Sequence, residues 1–138
     1  MPPVPIRVDG AAVDLSGRLF SSSTVAASPA AAAETVVATV TVSPNISVTK
    51  VQLTATLAWT VGTSGTAVTL KLRQTDASGT TLYSTGATTA TATNLDSKTV
   101  TAVDTSPGSG QIYAVTMTVA NGAAASTVSA VTLQALAL

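Results

Sequence analysis

The stretch that decides the fold is residues 51–61, VQLTATLAWTV. Apolar side chains occupy every second position of this stretch, and polar or small side chains stand between them. Successive side chains of an extended strand point to opposite faces, so this spacing predicts a β-strand with one buried face. The side chains predicted to be buried are Val51, Leu53, Ala55, Leu57, Trp59 and Val61.

Similar alternation, rich in Val and Thr, recurs further along the chain and is interrupted by turn residues. We predict strands at residues 35–42, 68–73, 80–84, 98–103, 111–119 and 126–138, and a loop or edge strand at 85–94. Residues 51–61 and 68–73 flank a Gly-containing turn and are predicted to pair as a hairpin. Short strands at this spacing are typical of a sandwich or jelly roll, with a closed barrel as the alternative.

The beginning of the chain has a different composition. Residues 1–33 hold four of the six prolines and show no sustained alternation. We predict that this segment is an extended N-terminal arm and linker, and that residues 34–138 form the folded domain. The predicted fold class is therefore all-β: a single jelly-roll-like antiparallel sandwich with an extended N-terminal arm.

The residue types present disfavour most catalytic chemistry. The chain has no cysteine and no histidine, which excludes disulfides, thiolate or imidazole metal sites and the usual general base near neutral pH. Asp9 and Asp14 are the only close acidic pair and are predicted to be solvated, while Asp104 is predicted to accept hydrogen bonds from the turn that follows it. We expect no catalytic residue, no cofactor site and no metal site, and hence no enzyme.

Charge and aromatic content narrow the range of partners. Six basic and six acidic side chains give a net charge of zero, so no field favours nucleic acid or an anionic membrane. The aromatic residues Phe20, Trp59, Tyr83 and Tyr113 are too few for a stacking platform, and Trp59 and Tyr113 are predicted to lie in the core. No apolar run reaches the roughly 18 residues of a spanning helix. We expect neither a nucleic-acid partner nor a membrane partner.

Self-association is expected from the same composition. Only 9% of the residues are charged, and near-zero net charge promotes association. The final strand carries apolar residues on both faces, which predicts a second surface packed against it. The interface residues predicted from this strand are Leu133, Leu136 and Leu138.

Two segments resemble small structural proteins of tailed bacteriophages. Residues 62–73 fit a strand pattern G-T-x-x-T-x-V-T-L-x-L-R, and residues 104–113 fit a turn pattern D-x-x-P-G-x-G-x-x-Y. The resemblance extends from about Thr35 to Leu138. It implies a jelly roll, often trimeric, that decorates or cements a capsid or forms part of a tail tip or fibre.

The function implied by this resemblance is that of a capsid decoration or cement protein. Such a protein binds the major capsid protein at the capsid surface of the virion, after synthesis in the host cytoplasm, and needs no catalytic site. The arm is expected to make the capsid contact through Ile6, Arg7, Val8, Leu15, Arg18 and Phe20. The alternative function is a tail-tip, fibre or receptor-binding β module, whereas an adhesin array is disfavoured because the chain has no internal repeat.

Overall fold

The computed structural model describes residues 6–8, 11–13, 17–24, 29, 33–62, 66–90, 95–120 and 127–138. All regular elements within these ranges are β-strands, and none is a helix long and apolar enough to cross a membrane. The strands are β1 Ile6–Val8, β2 Ala11–Val13, β3 Leu19–Thr24, β4 Glu34–Thr41, β5 Val51–Thr60, β6 Thr66–Gln74, β7 Thr81–Ser84, β8 Thr88–Ala90, β9 Asp96–Asp104, β10 Ile112–Val119 and β11 Thr127–Ala137.

Most of the strands form two antiparallel sheets. Sheet I is five-stranded, with the order β4-β10-β6-β7 and with β8 also paired to β6. Sheet II is four-stranded, with the order β3-β11-β5-β9. The short strands β1 and β2 pair only with each other, so part of the predicted extended arm is a hairpin.

The route of the chain between the sheets identifies the topology. From β3 to β6 every successive strand lies in the other sheet, and the same is true from β9 to β11. Within these two runs, strands that are adjacent in the sequence therefore lie in opposite sheets, and their hydrogen-bonded neighbours come from elsewhere in the chain, whereas β7 and β8 pair with β6 in the same sheet. This double-sheet arrangement is a jelly roll, which confirms the predicted fold class over the closed barrel.

The core lies between the inward faces of the two sheets. The predicted alternation of β5 is confirmed, because Val51, Leu53, Ala55 and Leu57 are fully buried and Trp59 is 4% exposed. Full burial of one such aliphatic side chain stabilises the fold by about 1.5–3 kcal/mol. The other large, buried members are Val61, Val68, Leu70, Leu72, Tyr113, Val115, Met117, Val119 and Leu133.

The predicted hairpin between residues 51–61 and 68–73 is wrong. Strand β5 pairs with β11 and β9, whereas β6 pairs with β10, β7 and β8 in the other sheet. Alternation shows which side of a strand is buried, but a strand that faces its sequence neighbour across a core has the same alternation as one that pairs with it.

The sandwich also begins earlier than residue 34. Strand β3 lies within the predicted arm, yet it pairs with β11 from Leu19 opposite Leu136 to Thr24 opposite Val131. The sequence of β3, LFSSST, is rich in serine and lacks the strong alternation that marked the other strands. An edge strand pairs on one side only, so backbone hydrogen bonds hold it without a continuous apolar face.

A β-bulge corrects the prediction for the final strand. The register of β11 against β5 shifts between Val128 and Ala130, which leaves Ser129 as an extra residue. Strict alternation places Val128 on the face opposite Val131, but the bulge turns both inward, and both are buried. The outward positions Thr132 and Gln134 are exposed, so most of the outer face of β11 is polar.

Candidate interaction surfaces

The outward side chains of sheet II form a surface without charge. Cross-strand pairing aligns them in three rows that run across the sheet. We call these three rows the uncharged face. Its members are Leu19, Leu136, Gln52 and Val103 in the first row, Ser21, Gln134, Thr54 and Thr101 in the second, and Thr132, Thr56 and Thr99 in the third.

The first row is the most apolar part of the uncharged face. Leu19 is 57% exposed and Val103 is 52% exposed, although both lie within strands. Leu136 lies between Leu19 and Gln52 in register and is half-buried. A shallow groove lies between this row and the second one, lined by Leu19, Gln52 and Leu136 on one side and by Thr54 and Gln134 on the other. Two apolar side chains at the sheet edges and one near its middle therefore face solvent together.

The other two rows present hydroxyl and amide groups. The hydroxyls of Thr56 and Thr99 lie 3.1 Å apart across β5 and β9 and share a hydrogen bond. Side chains of this kind form van der Waals contacts and neutral hydrogen bonds with another surface, and they carry no group that transfers protons near neutral pH. The uncharged face therefore offers neutral contacts only.

The outer face of sheet I is different because a cluster of charged side chains covers it. The Arg73 guanidinium donates from Nε and Nη2 to the two Glu34 carboxylate oxygens, both at 2.9 Å, and from Nη1 to the Gly79 carbonyl at 2.7 Å. The Thr116 hydroxyl donates to Glu34 Oε1 at 2.7 Å, and Lys71 Nζ lies 3.9 Å from the same oxygen. We call Glu34, Lys71, Arg73 and Thr116 the charged cluster.

The charged cluster seals the middle of sheet I. Ala114 lies opposite Arg73, and Thr116 lies opposite Lys71. Both Ala114 and Thr116 are fully buried, although they point away from the core between the sheets. The long side chains that meet at Glu34 therefore shield the central strand β10 from solvent on its outer side.

The cluster also sets the ionisation of Glu34. Burial alone raises the pKa of this carboxyl group, but the hydrogen bonds from Arg73 and Thr116, together with the charges of Arg73 and Lys71, outweigh burial. The pKa of Glu34 is therefore lowered, and the group is a carboxylate at neutral pH. Because its two oxygens are occupied by donors of the same chain, the cluster acts structurally.

Asp104 joins the two sheets at one end of the sandwich. This residue ends β9 in sheet II and is 3% exposed. Its Oδ2 accepts hydrogen bonds from the Tyr113 hydroxyl at 2.8 Å and from Gln74 Nε2 at 2.7 Å, both of which belong to sheet I. Its Oδ1 accepts the Ser106 N–H at 3.0 Å, which confirms the predicted bond to the turn.

The link across the core was not visible in the sequence. The pattern of residues 104–113 showed a turn, but the contact of Asp104 with Gln74 depends on the sandwich topology. Burial and the neighbouring carboxylate of Asp104 raise the pKa of Tyr113, which stays protonated and donates its hydrogen bond. The only sign of this contact in the sequence was a Pro-Gly turn with Asp104 before it and Tyr113 after it.

The structure separates the three predicted interface residues. Leu133 is fully buried between the sheets, so the structure places this predicted interface residue in the core of its own chain. Leu136 lies in the uncharged face, and Leu138 is 40% exposed at the end of β11. Alternation explains the difference, because the buried side of β11 faces sheet I and cannot also face a partner.

The predicted arm residues are also divided. Ile6, Arg7 and Val8 form β1, and Leu15 lies outside the described residues. Arg18 Nη1 donates to the Ser47 carbonyl at 3.2 Å, and Phe20 packs on the edge of the core. Arg18 and Phe20 are therefore part of the sandwich and do not belong to a separate arm.

No group of three acidic side chains with metal-binding spacing occurs in the described part of the chain. A second cleft, of about 400 Å³, opens between the loop after β4 and the loop before β10. The cleft is lined by the apolar side chains of Val42, Ile46 and Val48, by residues 107–110, and by the hydroxyls of Ser43 and Ser109. The uncharged face is thus the larger continuous candidate for binding another protein.

Comparisons with known proteins bear on the fold. No protein-family model matches the chain, and no curated protein matches it. It is similar to the structure of infectious bursal disease virus, Gx strain, with a TM-score of 0.58 and 13% identity over 98% of this chain and 38% of that one. It is also similar to the VP2 protein of that virus in T=1 particles, with a TM-score of 0.60 and 11% identity over 96% of this chain and 36% of that one. The chain spans less than two fifths of these viral proteins, with which it shares its β-sandwich fold.

Proposed function

We propose that this protein is a non-enzymatic structural component of a virus particle, a capsid decoration or cement protein that binds the outer shell and stabilises it. The observation that carries the proposal is the jelly-roll topology, which nearly the whole chain shares with part of a viral capsid protein. The neutral surface of sheet II supports it, because such a surface suits a lasting protein contact better than transient binding of a charged ligand.

The stabilising action in this proposal is a binding equilibrium. A protein that binds across neighbouring capsomers, and binds only when they are in place, adds its binding free energy to the assembled shell. The contact with the major capsid protein is proposed for the N-terminal segment, with Ile6, Arg7, Val8 and Leu15 as its candidate residues. The protein then resides on the capsid surface of the virion after synthesis in the host cytoplasm.

The proposal includes self-association. Copies of the chain form a closed homo-oligomer, a trimer by the phage resemblance, with Leu136 and Leu138 among the contacting residues. Both side chains point outward from the end of β11. Nucleic acid and membranes are not partners in this proposal, because the net charge of zero provides no long-range attraction to either.

The test is binding to undecorated capsid shells. Light scattering of the purified full chain, alone and mixed with shells, is expected to show saturable binding. A chain without residues 1–16 is the matched control, because this deletion removes the proposed arm and leaves β3 in place. It is expected to keep its oligomeric mass and to lose shell binding.

Shell stability provides a second measurement. Decorated shells are expected to open at a higher temperature than bare shells, by several degrees, whereas shells mixed with the shortened chain should not differ from bare ones. If the full chain forms an oligomer but ignores the shells, decoration is disproved and the tail-tip, fibre or receptor-binding alternative is favoured.

A further inference from the structure

We infer that the uncharged face of sheet II is the surface on which a second copy of this chain packs. The inference rests on the self-association in the proposed function and goes further, because it names the sheet face that makes the contact. It replaces the sequence-based set Leu133, Leu136 and Leu138 with three rows of side chains that cross four strands.

The first step is the distribution of charge. Glu34, Lys71 and Arg73 lie on the outer face of sheet I, and Asp104 is buried between the sheets. Asp96 and Lys98 lie on the inward side of the edge strand β9. Arg18 and Lys50 come just before β3 and β5, at the border of the first row. The three rows of the uncharged face hold only Leu, Val, Thr, Ser and Gln. Removing an unpaired charge from water costs several kcal/mol. A partner can cover the uncharged face without this cost, because its three rows contain no charged side chain.

The second step is the chemistry of the partner. A partner that brought a charge onto these rows would bury it against neutral groups and leave it unpaired. The surface that fits is therefore itself neutral where it touches, with apolar side chains and hydroxyls. A second copy of the chain supplies a surface of that chemistry and of the same extent when the face meets itself about a two-fold axis, and its net charge of zero adds no long-range repulsion. Such a contact joins the copies in pairs, so the inference gives a dimer where the phage resemblance implies a trimer.

The third step is area. Three rows about 6.6 Å apart, on four strands about 4.8 Å apart, give a flat area of roughly 380 Å². The relief of the side chains raises the accessible area above this value, so covering the face on two copies removes about 1,000 Å² from solvent. That total reaches the size at which specific interfaces are distinguished from chance contacts.

The first row of the uncharged face provides most of its apolar contact area. Leu19 and Val103 are more than half exposed, and Leu136 is half-buried between them. Apolar side chains held in one row on a rigid sheet lose little conformational freedom on binding. The outer face of sheet I offers no equivalent, because Glu34 and Arg73 already cover its central strand.

The experiment introduces one charge into each of two outer faces. Thr132→Lys places an ammonium in the uncharged face at an exposed position of β11, and Thr39→Lys places one at an exposed position of β4 in sheet I. Both variants should fold as the wild type does, which the emission of the buried Trp59 reports. Thr132→Lys should weaken self-association about tenfold or more, and Thr39→Lys should change it less than about twofold.

Light scattering over a concentration series measures this effect against the monomer mass of 13.5 kDa. A wild-type chain that stays monomeric, or a Thr132→Lys variant that associates as tightly as Thr39→Lys, overturns the inference. If Thr132→Lys keeps its oligomeric mass but no longer binds shells, the face belongs to the shell contact, so the inference fails while the proposed function stands. If Thr132→Lys dissociates and the wild type ignores shells, the inference stands while decoration fails.

Salt provides an independent arm of the test. A contact between neutral surfaces is not screened, so the association constant of the wild type should change less than about threefold between about 0.05 M and about 0.5 M NaCl. A decrease of an order of magnitude over this range would show that ion pairs hold the copies together, and the uncharged face would then be excluded as the contact.

Discussion

The two outer faces of the sandwich are built from the same kind of strand but differ in how far charged side chains cover them. On sheet I, Glu34 and Arg73 reach across the surface and bury Ala114 and Thr116 completely. On sheet II, no long charged side chain crosses the three rows, and Leu19 and Val103 remain more than half exposed. The protein's own side chains cover the first face, and the second face stays exposed in the monomer.

The comparison shows that a few charged residues determine which outer face of the sandwich is covered by the protein's own side chains. Thr residues alternate with aliphatic residues in both sheets, so alternation alone does not distinguish them. What distinguishes them is the convergence of Lys71, Arg73 and Glu34 in one place. Strand β9 of sheet II also holds Asp96, Lys98 and Asp104, but these three lie on its inward side, so the three outward rows contain no charge.

The largest expected effect separates the inner and outer sides of β11. Leu133→Ala removes a fully buried side chain and leaves a cavity, so the free energy of unfolding should fall by about 3 kcal/mol. Leu136→Ala acts on the half-buried outer side of the same strand and should cost about 1 kcal/mol or less. Chemical denaturation of both variants checks this, and equal losses would contradict the assignment of Leu133 to the core.

The second prediction concerns the charged cluster on the outer face of sheet I. Glu34→Ala leaves Arg73 and Lys71 without their carboxylate and exposes Thr116, so it should lower the free energy of unfolding by about 2 kcal/mol. Glu34→Gln keeps an oxygen that accepts from Thr116 and should cost about half as much. Urea denaturation of the two variants is the measurement, and an unchanged stability of Glu34→Ala would show that the cluster does not hold the face closed.

The third prediction concerns the link that fixes the two faces relative to each other. Tyr113→Phe removes the hydroxyl that donates to the buried Asp104 carboxylate and leaves that oxygen with Gln74 as its remaining side-chain donor. The free energy of unfolding should fall by about 1.5 kcal/mol, because a buried acceptor loses a charge-assisted bond. Thermal unfolding checks this, with exposed Tyr83→Phe as the control that should change nothing.

The fourth prediction follows from the lowered pKa of Glu34. The folded-state pKa lies below the ordinary value of a glutamate, so the ionised group contributes stability that is present above the unfolded-state pKa of about 4.3 and is lost as the pH falls through the folded-state pKa. Between about pH 5 and about pH 3, the wild type should therefore lose more stability than Glu34→Gln. Parallel slopes for the two proteins in urea denaturation would rule out this contribution.

The smallest expected effect concerns the uncharged face of the folded monomer. Val103→Thr changes an exposed side chain on the edge strand β9 and should alter the free energy of unfolding by less than about 0.5 kcal/mol. The same variant should raise the protein concentration needed for association, because it makes the apolar row more polar. A large loss of stability without a change in association would mean that Val103 serves the fold and not a partner.

Much of the fold could be predicted from the sequence, and the reasons for the exceptions are physical. Val51 to Trp59 identified β5 because one side of the strand packs on a core, and that packing leaves a period of two in the sequence. The partner of β5 could not be predicted in this way, since hydrogen bonds between backbones leave no mark on side-chain type. Strand β3 was missed because an edge strand needs few apolar residues.

The candidate surface was predictable only in part. Leu136 could be recognised as an outward apolar residue from the pattern of β11. Leu19 and Val103 belong to other strands, and only the order β3-β11-β5-β9 brings them into one row with Leu136. The bulge at Ser129 likewise depends on the pairing of two distant strands, so Val128 could not be placed on the correct side beforehand.

The central position of β11 has a consequence for biosynthesis. This strand is the last of the sandwich to be translated, yet it lies between β3 and β5, which have no hydrogen bonds to each other. Until residue 137 has left the ribosome, β3 has no neighbour, and the long sequence separation of its partner makes pairing slow. The nascent chain must therefore leave β3 and one edge of β5 unpaired until translation has passed β11, and those backbone edges are open until then to chaperones and to aggregation.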